Sequence, residues 1–217
     1  MPSVIVAPSA VVYSCVTFLG HAFVGEFALV GHPTAVEANR ARENANDWEE
    51  YQRQATDVSP PLSIGAGAII RAHTVIYAGV TIGEQFDSGH HVVVREGCVL
   101  GRNVYLKSHT HIMKNVEIGD DCRISAIVAD GSKVGRGTAV FGILTHRDPK
   151  VHSRQDGPWF GPQIGEDCLI ARGAVVLGPC QVGNRSIVAP GAVLSRDVPE
   201  DSIVVGRPAT IRRRPRP

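Results

Sequence analysis

The chain holds nine histidines, and three of them, His73, His91 and His109, recur eighteen residues apart. His90 adjoins His91, and His111 follows His109 by two. Three kinds of chemistry are open to such a set. An imidazole that titrates near neutrality can take a proton as general base. Neighbouring imidazoles can share a zinc ion through bonds of ~2.1 Å. A ladder of imidazoles can also serve the backbone along a turn, which is the role expected for His73. Glu96 is a candidate to orient the base or to hold a substrate ammonium, or else an exposed residue near Arg95. The catalytic candidates are therefore His90, His109, His91 and Glu96, with His111 behind them. A second group lies in "HRDPKVHSRQDGPWFGP", where His146, Arg147 and Trp159 suit recognition of a polar small molecule. A third is the basic end "GRPATIRRRPRP", because the planar guanidinium makes charge-assisted, often bidentate bonds to phosphate.

What these side chains can do depends on the elements that carry them. Aliphatic residues recur every sixth position through Ile64, Ile70, Ile76 and Ile82, skip at Ser88, and continue from Val94 to Ile124. After a slip of two residues the phase resumes at Val128, Val134 and Val140, and returns from Ile164 to Leu194. Glycine follows the aliphatic residue at Gly65, Gly83, Gly119, Gly135, Gly165 and Gly183. A helix cannot use this period, because successive aliphatics would rotate off any one face. Short strands joined by tight turns can, with glycine or a small polar residue taking the strained backbone angles. Cys98, Cys122, Cys168 and Cys180 each stand two residues before a repeat aliphatic, so strand alternation turns them inward as small hydrophobes. Cys15 lies off that phase.

Two segments leave the repeat. Residues 31–63 are charged, alanine-rich and closed by Pro60-Pro61, which predicts a helical excursion docked through Val36, Trp48 and Tyr51. Residues 146–162 form an extruded loop, and 199–217 a short C-terminal tail. Length suits one domain, 1–217.

The period resembles that of the hexapeptide-repeat family, whose chains coil as a left-handed parallel β-helix with three hexapeptides per turn; an all-β fold is expected. The stretch from Ile164 to Arg213, with its Gly206-Arg207-Pro208-Ala209 turn, is similar to the closing coils of coenzyme A-dependent acyltransferases of that family. "IIRAHTVIYAGVTIGEQFDSGHHVVVREG" resembles a subgroup of sugar N-acetyltransferases. The resemblance implies a homotrimer with acetyl-CoA as acyl donor and backbone amides of the last coils along the pantetheine. It places Ala171, Ala189 and Gly191 beside the pantetheine and Arg207 and Arg212 near phosphate. Pro190 removes one expected amide donor. The acceptor would be an amine of a sugar, nucleotide-sugar or similar polar metabolite.

Two other readings stand beside this one. Gamma-class carbonic anhydrases share the fold, and Gly89-His90 fits their signature. Their later histidine is Arg95 here, and an expected Arg-x-Asp is Arg71-Ala72-His73. No bound metal is expected. A non-catalytic β-helix scaffold is the other alternative. With 22 Lys+Arg against 21 Asp+Glu, total charge points to no nucleic acid partner. No apolar run approaches the ~20 residues of a membrane span, the start lacks signal-peptide features, and five cysteines with no CxxC argue against a disulfide framework. A cytoplasmic enzyme is expected.

Overall fold

The computed structural model describes residues 3–57, 59–147 and 160–213. The hexapeptides become strands of two to four residues that wind into a left-handed parallel β-helix with three flat faces. Among the described residues the first sheet has eleven strands, the second nine and the third eight. Register stacks residues eighteen apart, so Val93 pairs with both Val75 and His111, and Val94 with Ile76 and Ile112. The repeat aliphatics point inward, and Ile70, Ile76, Ile112 and Ile124 are fully buried. Truncating one of them to alanine would cost about 2–5 kcal/mol, because the coils above and below hold the cavity open. Val6, in the first coil, is 42% exposed, since no further coil covers it among the described residues.

Ser88 occupies an inward slot and is buried, accepting the backbone N–H of Arg71 at 3.0 Å. Cys98, Cys122, Cys168 and Cys180 are buried as the alternation requires. Cys15 is half-buried, its Sγ 3.5 Å from the Gly31 carbonyl.

The repeat glycines have a different reason from the one the sequence suggests. The positive φ angles fall two residues later, at Gly67, Gln85, Asp121, Gly137, Asp167 and Arg185. At Gly65, Gly83, Gly119, Gly135, Gly165 and Gly183 a Cβ would lie 2.3–2.8 Å from atoms of the next coil. Close approach between coils, rather than backbone angle, excludes a side chain there.

The 31–63 excursion is a pair of helices, α1 (Ala35–Asn44) and α2 (Trp48–Asp57), entered through Thr34, whose N–H donates to Glu37 at 2.9 Å. Val36 does not dock: it is 67% exposed, while Ala41 is 2% exposed and supplies the buried face of α1. The Trp48 side chain lies outside the described residues. Of the segment 199–217, expected as a tail, the described residues add two strands to the first sheet. Ser202–Val205 pairs in parallel with the coil above, and Thr210–Arg213 folds back antiparallel on it.

The two-residue slip has a defined place. Most corners between the first and second sheets hold four residues, as in 107–110 between Tyr105–Leu106 and His111–Ile112. In the next two coils that corner shrinks to Ser125-Ala126 and then Phe141-Gly142. Residues 171–174 restore it. Pairing survives across the slip, with His111 opposite Ile127 and Ile112 opposite Val128.

Candidate functional site

His73, His91 and His109 occupy the corner between the first and second sheets on consecutive coils. Each has a left-handed backbone, with φ of 60°, 56° and 63°. Each N–H is tied to the coil above: His73 to Glu26 O at 2.9 Å, His91 to Ala72 O at 3.1 Å, His109 to His90 O at 3.0 Å. Fixed backbones stack the exposed rings, with centroids 4.7 Å apart for His73–His91 and 5.1 Å for His91–His109, and interplanar angles of 0° and 3°. Phe27 continues the column onto His73 at 5.1 Å. Ring nitrogens donate or accept in the plane of the ring, so parallel rings do not converge on one metal ion. Among the described residues no three His, Cys, Asp or Glu form a metal-ligating group. Loss of hydration, then the nearby charges of His73, His109 and His90, hold the His91 imidazole below its ordinary value.

His90 sits on the same corner, exposed, its N–H donating to Ser108 Oγ at 3.1 Å. His111 is exposed on the outer face of the second sheet, between Val93 and Ile127 in register. Three candidate bases thus share one corner.

Glu96 does not join them. The strand Val93–Val94 carries the chain to the corner between the second and third sheets before Glu96 is reached. There its carboxylate takes Arg95 Nε at 2.8 Å and Lys114 Nζ at 2.9 Å, and its side chain is only 18% exposed. Burial pushes the carboxyl upward, but hydrogen bonds from Arg95, its own backbone and Lys114 outweigh it and leave the group below the ordinary range. The Arg95 guanidinium lies 4.6 Å above the Tyr77 ring. Glu96 therefore knits coils together, and within this chain it orients no histidine base.

The loop residues also divide. His146 has a side chain 8% exposed, with Nε2 3.6 Å from Asp130 Oδ2. Asp130 Oδ1 in turn accepts the Lys114 N–H at 3.0 Å. Arg147 reaches the Ser195 carbonyl at 3.1 Å. Trp159 lies outside the described residues.

At the C-terminal coils, the amides of Ala171 and Ala189 donate to Val188 O at 2.9 Å and Val204 O at 2.8 Å. Both are used by the stack, so neither is free for an incoming ligand. Gly191 differs: φ is 70°, its N–H has no partner among the described residues, and its carbonyl accepts Arg207 Nε at 2.7 Å. Arg207 lines a cleft of about 580 Å³ with Val193, Ser195, Arg196, Pro208 and Ala209. Arg212 is exposed, paired in register with Ile203. A second cleft of about 650 Å³ opens on the third sheet among Asn115, Lys133, Phe160, Gln163 and Asp197. Sequence reasoning found neither Arg196 nor this second cleft, whose walls are outward residues far apart in the chain.

Residues 97–127 and 161–196 match the family described as bacterial transferase hexapeptide (six repeats). It is similar to the bifunctional protein GlmU of Streptococcus pyogenes, at 29% identity over 66% of this chain and 30% of that protein. The serine acetyltransferase of Bacillus subtilis is 33% identical over 63% of this chain and 46% of its own length. The chain thus spans about a third of the GlmU proteins it matches. Among solved structures, an Arabidopsis UDP-N-acetylglucosamine acyltransferase aligns with a TM-score of 0.44 at 16% identity, over 96% of this chain and 73% of that one.

Proposed function

We propose that this chain is a coenzyme A-dependent acyltransferase of the hexapeptide-repeat class. It moves an acetyl or other short acyl group to an amine of a sugar, nucleotide-sugar or similar polar metabolite. The observation that carries the reading is the Arg207–Gly191 pairing at the closing coils, on the same corner as the histidine column. Arg207 and Arg196 offer cations beside a cleft, and Gly191 offers an N–H without an internal partner. These residues suit an anionic, amide-bearing donor such as acetyl-CoA. The names of the GlmU and serine acetyltransferase relatives support the same class.

Acetyl-CoA would supply the thioester carbonyl. His90, directly or through one water, takes the proton of the acceptor's ammonium. The amine lone pair then attacks the carbonyl carbon, the C–S bond breaks, the thiolate leaves with that electron pair, and the proton shed by the new amide nitrogen converts it to the thiol. Apolar residues exposed on both sheets that flank the corner, Phe23 and Ile69 on one and Ile127 and Ile143 on the other, suit a homotrimer whose sites lie between subunits. A cytoplasmic setting agrees with five free cysteines.

The test is calorimetry with acetyl-CoA, followed by an acceptor screen with thiol detection. Binding and acceptor-dependent thiol release are expected. Absence of acetyl-CoA binding, with Arg207→Ala indistinguishable from the parent protein, would refute the enzyme reading in favour of a scaffold.

A further inference from the structure

The histidine column ends at a gap. His91 covers one face of the His109 ring, and among the described residues no ring covers the other. The next two coils lack the residues that would continue the column, because their corners are only Ser125-Ala126 and Phe141-Gly142. The corner returns at Arg172-Gly173, three rungs below. At ~4.8 Å per rung this sets the His109 and Arg172 corners about 14 Å apart, with a recess between them.

The charge around this recess is one-sided. On the third sheet and its corner with the first, cations pair with carboxylates of neighbouring coils: Lys133 with Glu117, Arg136 with Glu166, Arg102 with Asp120. Lys107, Arg123 and Arg172 border the recess, and among the described residues none of them forms an ion pair. No Asp or Glu occurs in the corner segments 107–110, 125–126, 141–142 or 171–174. Lys107 Nζ stands 5.2 Å from the centre of the Phe141 ring, on the recess side of the column.

We infer that this recess binds a nucleoside diphosphate, its base stacked on the open face of His109 and its phosphates held by Lys107, Arg123 and Arg172. A flat heteroaromatic ring continues the column at the place where the chain stops supplying rings. Phosphates satisfy cations that the fold leaves without counter-charges. The nucleotide belongs to the acceptor, because the donor's phosphates have the Arg207 cleft at the last coils. That final step rests on the acyltransferase reading; the binding of the nucleotide does not.

The experiment is calorimetry of the full chain with UDP and GDP, and separately with 3′,5′-ADP, the nucleotide end of coenzyme A. UDP or GDP is expected to bind, and saturating coenzyme A to leave that binding in place. Stacking is worth ~1–3 kcal/mol per base, so His109→Asn, which tolerates the left-handed backbone, should weaken it about 5- to 100-fold. His109→Phe should restore it, because Phe27 already fills this backbone position in the same column. Arg172→Ala should weaken binding on the order of tenfold. Failure of UDP and GDP to bind at millimolar concentration overturns the inference, while acetyl-CoA binding in the same preparation keeps the acyltransferase reading intact. Equal affinity of His109→Phe and His109→Asn overturns the stacking role. Binding of 3′,5′-ADP alone, with the same dependence on His109, overturns the assignment to the acceptor.

Discussion

Arg207 donates its Nε–H to the carbonyl oxygen of Gly191 at 2.7 Å, which ties the closing hairpin to the corner of the coil above. The contact fixes the guanidinium beside the cleft while leaving further N–H groups for an anion. Arg207→Ala is expected to weaken acetyl-CoA binding by about 10- to 100-fold, the size of a lost hydrogen bond to a charged group. Calorimetry reads this directly. Arg207→Lys should recover only part of the loss, because an ammonium cannot reproduce the fork.

His90→Ala is expected to lower kcat at neutral pH by about 10²–10⁴, the range for loss of a general base. Raising the pH should recover activity as more of the acceptor amine becomes neutral by itself. A kcat within a few-fold of the parent at neutral pH would show that the substrate delivers its own free amine.

Glu96 joins Arg95 and Lys114 on adjacent coils, so its removal sets two cations against each other. Glu96→Ala should destabilise the fold by about 1–3 kcal/mol in urea unfolding. Its carboxyl titrates lower in the folded chain than in the unfolded one. Its stabilisation is therefore complete above the ordinary value near 4.5 and is lost as pH falls through the lower folded value. Glu96→Gln should flatten that acid limb.

The stacked rings predict a second acid-sensitive step at higher pH. His91 is held below the ordinary 6.5, so the folded chain binds its proton less readily than the unfolded chain. Stability from the neutral stack is present above 6.5 and declines as pH falls below it. Thermal melts between pH 7.5 and pH 5 should show this decline, and His91→Phe should remove it.

Burial pushes the thiols of Cys98, Cys122 and Cys180 up to about 12, 11 and 11 from 9.0. Folded-state values above the unfolded ones mean stability is complete below pH 9 and lost as pH rises through 11 to 12. Iodoacetamide at pH 8 should label half-buried Cys15 first. The three deeper thiols should react only on unfolding, as mass spectrometry of the alkylated peptides would show.

The coils were legible because each inward slot imposes one demand, an aliphatic of suitable size, six residues from the last. Ser88 and the four buried cysteines were legible for the same reason. The eighteen-residue spacing of His73, His91 and His109 gave their stacking as well. The separation of Glu96 from the histidine corner was not legible. Five residues of this chain turn a corner, and what lies close in sequence faces another side of the prism. The partners of the Ala171 and Ala189 amides were not legible, since a backbone donor's partner depends on the coil below rather than on its own side chain. Lys107, Arg123 and Arg172 look ordinary in the sequence. Only the slip at Ile124–Val128 marks their surroundings, and its meaning requires knowing which corner absorbs it.

That slip bears on how the molecule can change length. Two coils each have this corner shortened by two residues, yet the pairing on all three faces is unbroken. The helical excursion and the 146–162 segment likewise leave and rejoin at a single corner, between the second and third sheets. The faces behave like a text whose words are fixed and whose punctuation is free: edits at a vertex leave the reading frame of every column intact. A one-residue deletion within a strand would invert inward and outward positions for the rest of that face, whereas a graft at a vertex alters only what the vertex presents to solvent.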